Sequence, residues 1–298
     1  MTQPLSFIIP CYNEGARVAE VVGVLRRSHP TAEVLVVDDA SREPVAPLLE
    51  PLGARVLRHP YNMGNGAAIK TGARHAHGKV LVTLDADGQH DPADVGRLLA
   101  RLGQGYDMVV GARRSDSHAS WGRRLANAIY NGFGGWMVNQ RIEDLTSGFR
   151  AVRASRFREF LHLLPNGFSY PTTITLAFFR AGYAVGYEPI VALKREGKSH
   201  IRPLRDGTRF LLIILKVGTL FSPMKLFLPM SATLFFTGVG YYLYTYFDAG
   251  RFTNMSALLI SVSVLTFLIG LVSDQVTTLM YMHAASRQES RQDSRSDD

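Results

Sequence analysis

Apolar and polar positions follow two different rhythms along this chain. Up to about residue 200, short apolar runs alternate with stretches of helical spacing. Leu5-Ser-Phe-Ile-Ile9, Glu33-Val-Leu-Val-Val37, Arg55-Val-Leu-Arg58, Lys79-Val-Leu-Val82 and Asp107-Met-Val-Val-Gly111 read as strands. Between them, Val18, Val21, Val22 and Leu25 mark one face of a helix over Ala16–Arg27. Further helices are predicted from Asn62 to about His75 and from Asp91 to Leu102. Strand and helix in alternation predict an α/β domain on a parallel, doubly wound sheet. Beyond Phe210 the rhythm changes. Leu226–Phe247 carries no charge over 22 residues, and Met255–Met282 carries only Asp274. Both are long enough to cross a hydrocarbon core, so two membrane spans are predicted. Pro229 is expected in a first turn, and Tyr241, Tyr242, Tyr244 and Tyr246 crowd one interface.

Charge sharpens this division. The net charge of +8 admits nucleic acid or an anionic lipid surface as a partner. The cations, however, gather at Lys194, Arg195, Lys198, Arg202, Arg205 and Arg209, just before the apolar run Phe210–Leu215. A basic segment feeding a short apolar helix fits a membrane surface, and no nucleic-acid partner is expected. Basic residues before the first span and Arg287, Arg291 and Arg295 after the second place both flanks, and with them the catalytic domain and both termini, in the cytoplasm. Met1 leads almost directly into a strand, so no signal peptide is expected. One cysteine, Cys11, excludes an internal disulfide and a cysteine zinc site. The expected division is a catalytic domain over 1–205, an interfacial segment over 206–225, a two-helix membrane domain over 226–282 and a disordered tail over 283–298.

Candidate chemistry sits where the strands end. Asp85-Ala-Asp87 follows the Lys79 strand, with Gln89 on the same side and Gly88 supplying a turn. These hard oxygen donors suit Mg²⁺ or Mn²⁺ shared with a diphosphate. An acidic turn capping the next helix is the simpler alternative. Pro10-Cys-Tyr-Asn-Glu14 and Asp38-Asp39 fall on the same edge, where ligands of open α/β sheets bind. The Gly64–Gly66 loop offers backbone N–H groups to phosphate, or is an ordinary glycine-rich helix start. Arg113 ends another strand at this edge, and Arg123 and Arg124 open an amphipathic helix. No Walker A spacing or Gly-x-Gly-x-x-Gly follows the first strand.

Pro10-Cys-Tyr-Asn-Glu14, Val37-Asp-Asp-Ala-Ser41, Asn62-x-Gly-x-Gly66 and Asp85-Ala-Asp-Gly-Gln-His90, in that order, resemble the family-2 inverting glycosyltransferases of the GT-A fold. Within them the chain is similar to the dolichol-phosphate mannosyltransferase and polyprenyl-phosphate glycosyltransferase branch. The likeness continues through Asp144-Leu-Thr-Ser-Gly-Phe-Arg150 and Arg195-Glu-Gly-Lys-Ser199. It implies a GT-A, Rossmann-like domain with a mostly parallel sheet, followed by interfacial and transmembrane helices. It implies Asp85, Asp87 and Gln89 as metal ligands, with Pro10, Tyr12, Glu14, Asp39, Asp85 and Asp87 holding a nucleotide sugar, GDP-mannose or a UDP-hexose. Arg113, Arg123, Arg124, Ser147 and Arg195 are implied around the phosphate of a polyprenyl acceptor, with Asp87, Arg113 and Arg195 acting in catalysis. The spans leave room for a homo-oligomer.

Three other readings compete. A processive polysaccharide synthase should carry Gln-x-x-Arg-Trp and more spans, a context that neither Trp121 nor Trp136 offers. A nucleotidyltransferase should have a basic glycine-rich loop where Cys11–Glu14 stands. An inactive membrane scaffold would have no use for an intact Asp-x-Asp-x-Gln.

Overall fold

The computed structural model describes residues 4–86, 88, 90–113, 121–167, 169–191, 216, 218–251 and 253–296, the side chains of 121–127, 249 and 281–296 excepted. Two compact units emerge, Met1–His200 and Ile201–Asp298.

The first unit is built on seven strands: β1 (Leu5–Cys11), β2 (Glu33–Asp38), β3 (Arg55–Arg58), β4 (Val80–Thr83), β5 (Met108–Arg113), β6 (Arg150–Arg153) and β7 (Val185–Ile190). They form one sheet in the order β3-β2-β1-β4-β6-β5-β7. Six strands run the same way, and β6 pairs antiparallel with both β4 and β5. The mostly parallel GT-A-like sheet is therefore as expected, with one strand reversed. That reversal brings the segment entering β6 to the edge where its neighbours end.

The helices follow from burial. In α1 (Gly15–Ser28) the predicted Val18, Val21, Val22 and Leu25 are all buried, and Pro30 follows its end. These side chains join Phe7, Ile9, Val34 and Val36 from the sheet face in the core. A short α2 (Ala46–Leu49) precedes β3. The helix α3 (Asn65–His75) begins three residues later than predicted, after Gly64 at φ +100°. Its N-terminus docks on the 165–167 backbone so closely that a Cβ on Gly66 would lie 2.1 Å from the Pro165 carbonyl oxygen. Pro92–Asp94 forms a single 3₁₀ turn before α4 (Val95–Leu102). The cap there is Asp91, whose carboxylate accepts from the Ala93 amide at 2.9 Å. Then come α5 (Trp121–Val138), α6 (Ala154–Glu159) and α7 (Tyr170–Arg180).

The second unit is a helical hairpin of α8 (Pro223–Ala249) and α9 (Asn254–Ser296). Pro223–Asp248 and Asn254–Met280 are long and apolar enough to cross a membrane. The helices are pinned by a reciprocal pair, with the Ser231 hydroxyl on the Ser263 carbonyl and the Ser263 hydroxyl on the Ser231 carbonyl, each at 3.0 Å. Pro229 lies in the second turn of α8 rather than its first, because the helix starts at Pro223. The helix α9 also runs to Ser296, through residues expected to be disordered. That stretch has no Gly or Pro, and its Ala, Arg, Gln and Glu residues favour helix.

Candidate active site

The three loops after β1, β2 and β4 leave adjacent strands, and the first two are laced together. The Asp39 amide donates to the Cys11 carbonyl at 2.9 Å, and the Asn13 amide to the Ser41 hydroxyl at 2.9 Å. The Asn13 side chain in turn accepts from the Arg42 amide at 2.9 Å. Asn13 and Ala40 both adopt positive φ, 59° and 60°, so these tight turns are held by hydrogen bonds rather than by glycine. On this platform Tyr12 is 49 % exposed. Pro10 and Glu14 are half-buried beside it. Burial pushes the Cys11 thiol up to about 11, which removes it as a nucleophile at neutral pH.

Asp38 and Asp39 differ from a simple exposed acidic pair. Asp38 is fully buried, accepting the Ser41 amide at 2.8 Å and lying 3.6 Å from Arg58. Asp39 is buried as well. Its Oδ1 accepts from the Met63 amide at 2.8 Å and faces the His59 Nδ1 at 2.7 Å, while its Oδ2 accepts from the Gly64 amide at 2.8 Å. The N–H groups of residues 63 and 64 are thus turned onto Asp39, in keeping with the ordinary helix-start alternative for that loop.

Asp85 stands at the end of β4 with its side chain about a third exposed. Across from it, Gly148 approaches so closely that a Cβ there would lie 2.9 Å from Asp85 Oδ2. The Thr83 hydroxyl fixes that approach by donating to the Gly148 carbonyl at 2.7 Å. His90 Nδ1 lies 3.9 Å from Asp85 Oδ2, and its ring stacks on Phe149 with centroids 5.1 Å apart. Asp87 and Gln89 lie outside the described residues. Among the described residues no three His, Cys, Asp or Glu side chains cluster to hold a metal. The expected donor set is all oxygen, and its described member is a carboxylate about a third exposed and lodged against a glycine. That chemistry fits a hard divalent cation.

Arg113, at the end of β5, is not a free guanidinium. Its Nε and Nη2 grip Asp144 at 2.8 and 3.0 Å, and Nη2 also donates to the Thr146 hydroxyl. Burial works against the Arg113 charge, but the Asp144 carboxylate outweighs it and raises the pKa. Burial likewise opposes ionisation of Asp144, and Arg113 with the Thr146 amide still holds it below the usual carboxylate range. Beside Arg113 opens a cleft of about 1010 Å³, bordered by Ala128, Asn131, Gly132, Gly135 and Arg141. Ser147 is buried, and its hydroxyl accepts from the Phe149 amide at 3.3 Å. Arg123 and Arg124 fall in the first turn of α5, and their side chains, like all of Arg195, lie outside what is described.

Residues that pattern reasoning passed over hold this arrangement. Asp144 orients Arg113, Gly148 makes room for Asp85, and His59 holds Asp39. Arg150 is fully buried, with Nε on the Ser147 carbonyl and Nη1 on the Thr175 hydroxyl, both at 2.8 Å. The available signal was the run Asp144–Arg150, a polar segment with an embedded glycine just before a strand.

Residues 6–161, more than half of the chain, match the profile of glycosyl transferase family 2. The chain belongs to that family. As a family-2 glycosyltransferase it has a second match, residues 222–279 to the GtrB C-terminal hairpin. Glycosyltransferase AglJ of Haloferax volcanii is 27 % identical over 91 % of this chain and 93 % of its own length. Polyprenol monophosphomannose synthase of Mycolicibacterium smegmatis is 29 % identical over 65 % and 79 %. Undecaprenyl-phosphate mannosyltransferase of Micrococcus luteus is 30 % identical over 63 % and 83 %. Among solved structures, glucosyl-3-phosphoglycerate synthase of Mycobacterium tuberculosis, in complex with Mn²⁺, UDP-glucose and phosphoglyceric acid, superposes with a TM-score of 0.58 at 18 % identity. The superposition covers 72 % of this chain and 78 % of that one, and it supports the fold.

Proposed function

We propose that this family-2 glycosyltransferase moves a hexose from a nucleotide sugar to a polyprenyl phosphate at the cytoplasmic membrane face, with inversion at the anomeric carbon. The observation that carries this reading is the meeting, at one sheet edge, of the Asp85 carboxylate with the loop that aims Arg113 through Asp144. One group suits a donor diphosphate and the other an acceptor phosphate. The names of the mycobacterial and micrococcal relatives, a polyprenol monophosphomannose synthase and an undecaprenyl-phosphate mannosyltransferase, agree with such an acceptor. The hairpin of α8 and α9 would keep the enzyme where such a lipid resides.

A phosphate monoester is already a nucleophile at neutral pH, so no strong general base is required. The protein's contribution is position and charge. Asp85, with Asp87 and Gln89, would hold Mg²⁺ or Mn²⁺, which when bound neutralises charge on the leaving diphosphate. Tyr12, Pro10, Glu14 and Asp39 would seat the nucleoside. Arg113 would present the acceptor phosphate for in-line attack, its fork fixed beforehand by Asp144, with Arg195, Ser147 and an arginine of the α5 start completing the phosphate site. The test is a panel of labelled nucleotide sugars given to membranes carrying the enzyme with a polyprenyl phosphate. One donor should yield a lipid-extractable product, abolished by chelation and restored by Mg²⁺ or Mn²⁺. No lipid-linked product from any donor, or full activity in excess chelator, would overturn the proposal.

A further inference from the structure

A carboxylate has about four acceptor positions, two on each oxygen. In Asp39 three of them are already taken. The His59 Nδ1–H and the Met63 amide occupy both positions on Oδ1, at 2.7 and 2.8 Å, and the Gly64 amide takes one on Oδ2, at 2.8 Å. The His59 ring is itself locked, its Nε2 lying 2.9 Å from the Thr71 hydroxyl of α3. With Nδ1 donating to a carboxylate, Nε2 accepts from that hydroxyl in the neutral ring. His59 is 7 % exposed, so water does not compete for these bonds. Among the described residues, Asp39 keeps a single acceptor position, on Oδ2. Asp39 follows β2 with its amide on the Cys11 carbonyl, and the next residue of the β1 loop is Tyr12, 49 % exposed, an aromatic face on which a base could stack.

A nucleobase reading such a carboxylate must present one donor. Uracil does so, offering N3–H between two carbonyls. Guanine offers N1–H and N2–H side by side, a pair that calls for both oxygens of a carboxylate. Against Asp39 one of these guanine donors would be desolvated with no partner. We infer that His59 reduces Asp39 to a one-point acceptor and thereby makes this a uridine rather than a guanosine nucleotide site. The inference rests on the nucleotide-sugar reading above and narrows its donor class. His59 is a positioning residue here, acting through Asp39.

The test is calorimetric titration of the full-length enzyme in detergent with UDP and with GDP, each with Mn²⁺. UDP should bind at least about tenfold more tightly, the usual consequence of leaving one buried donor unpaired. Two variants separate the role of His59 from general stability. In His59→Asn the amide nitrogen can replace Nδ1 as the donor to Asp39, so the preference should survive. In His59→Phe the second Oδ1 position is released, and the preference should narrow to about threefold or less. GDP binding as tightly as UDP would leave the transferase reading standing and overturn this one. A His59→Phe enzyme with the full preference would likewise overturn it. Binding of neither nucleotide would overturn the nucleotide-sugar reading itself, and this inference with it.

Discussion

Gly148→Ala should impair metal use without unfolding the enzyme. The added Cβ would lie 2.9 Å from Asp85 Oδ2 and 3.1 Å from Oδ1, and something must yield. The backbone at Gly148 is not free to do so. Its carbonyl is held by the Thr83 hydroxyl at 2.7 Å, and the next carbonyl, of Phe149, by the Gly111 amide at 2.9 Å. The Asp85 side chain therefore moves, by roughly half an ångström to reach ordinary contact, at a cost of about 0.5–1.5 kcal/mol in side-chain strain. Misplacing a reacting or ligating group by about 1 Å costs on the order of 100-fold in rate. A shift of half that size should cost about tenfold. The assay is the initial rate of transfer in membranes as a function of Mn²⁺, for wild type, Gly148→Ala and Gly96→Ala. Gly96 lies in α4 with nothing near its Cβ position, so that variant should match wild type. Gly148→Ala should need about tenfold more Mn²⁺ for half-maximal rate, or turn over about tenfold more slowly. Unchanged metal dependence and rate in Gly148→Ala would refute the link between this contact and the metal ligand.

Asp144→Asn should destabilise the catalytic domain by roughly 2 kcal/mol, a buried-pair loss discounted because Arg113 is about a third exposed. The Asp144 carboxyl is held below its ordinary value in the folded state, so its contribution is complete above the unfolded pKa of about 3.9 and disappears as pH falls through the folded value. The gap in thermal midpoint between wild type and variant should be full at pH 6 and shrink below about pH 4; a constant gap down to pH 3 would count against the pairing. A reporter fused after Asp298 should read as cytoplasmic, given two spans and basic flanks. A signal from the opposite side would invert the proposed orientation.

The strands β1, β2 and β4 were legible because both faces are covered and nearly every residue is apolar, which is how parallel strands read. β6 was not legible. It is four residues long with an arginine at each end, and Arg150 is buried through hydrogen bonds that no local pattern announces. The loop edge was legible from Asp39, Asp85 and Arg113 because strand ends locate themselves. What those side chains touch was not. Asp144 meets Arg113 across 31 positions of chain, and His59 meets Asp39 across 20. Such pairs form only once the sheet order is set, and periodicity carries no trace of that order.

The reversed strand β6 has a consequence for how this enzyme can diversify. Because β6 pairs with both β4 and β5, the chain that leaves the sheet at the end of β5 re-enters it between that strand and β4. Insertions or deletions could be accommodated between β5 and β6 while Gly148 stays opposite Asp85 and Asp144 stays opposite Arg113, provided that Asn131 of α5 keeps its bonds to the Glu143 carbonyl and the Leu145 amide on either side of Asp144. Donor chemistry would be inherited unchanged while the surface offered to acceptors was rewritten. With the acceptor site where it is proposed, a lineage built on this topology could explore new acceptors by exchanging one cassette, and residues 114–143 would be the unit to graft between relatives.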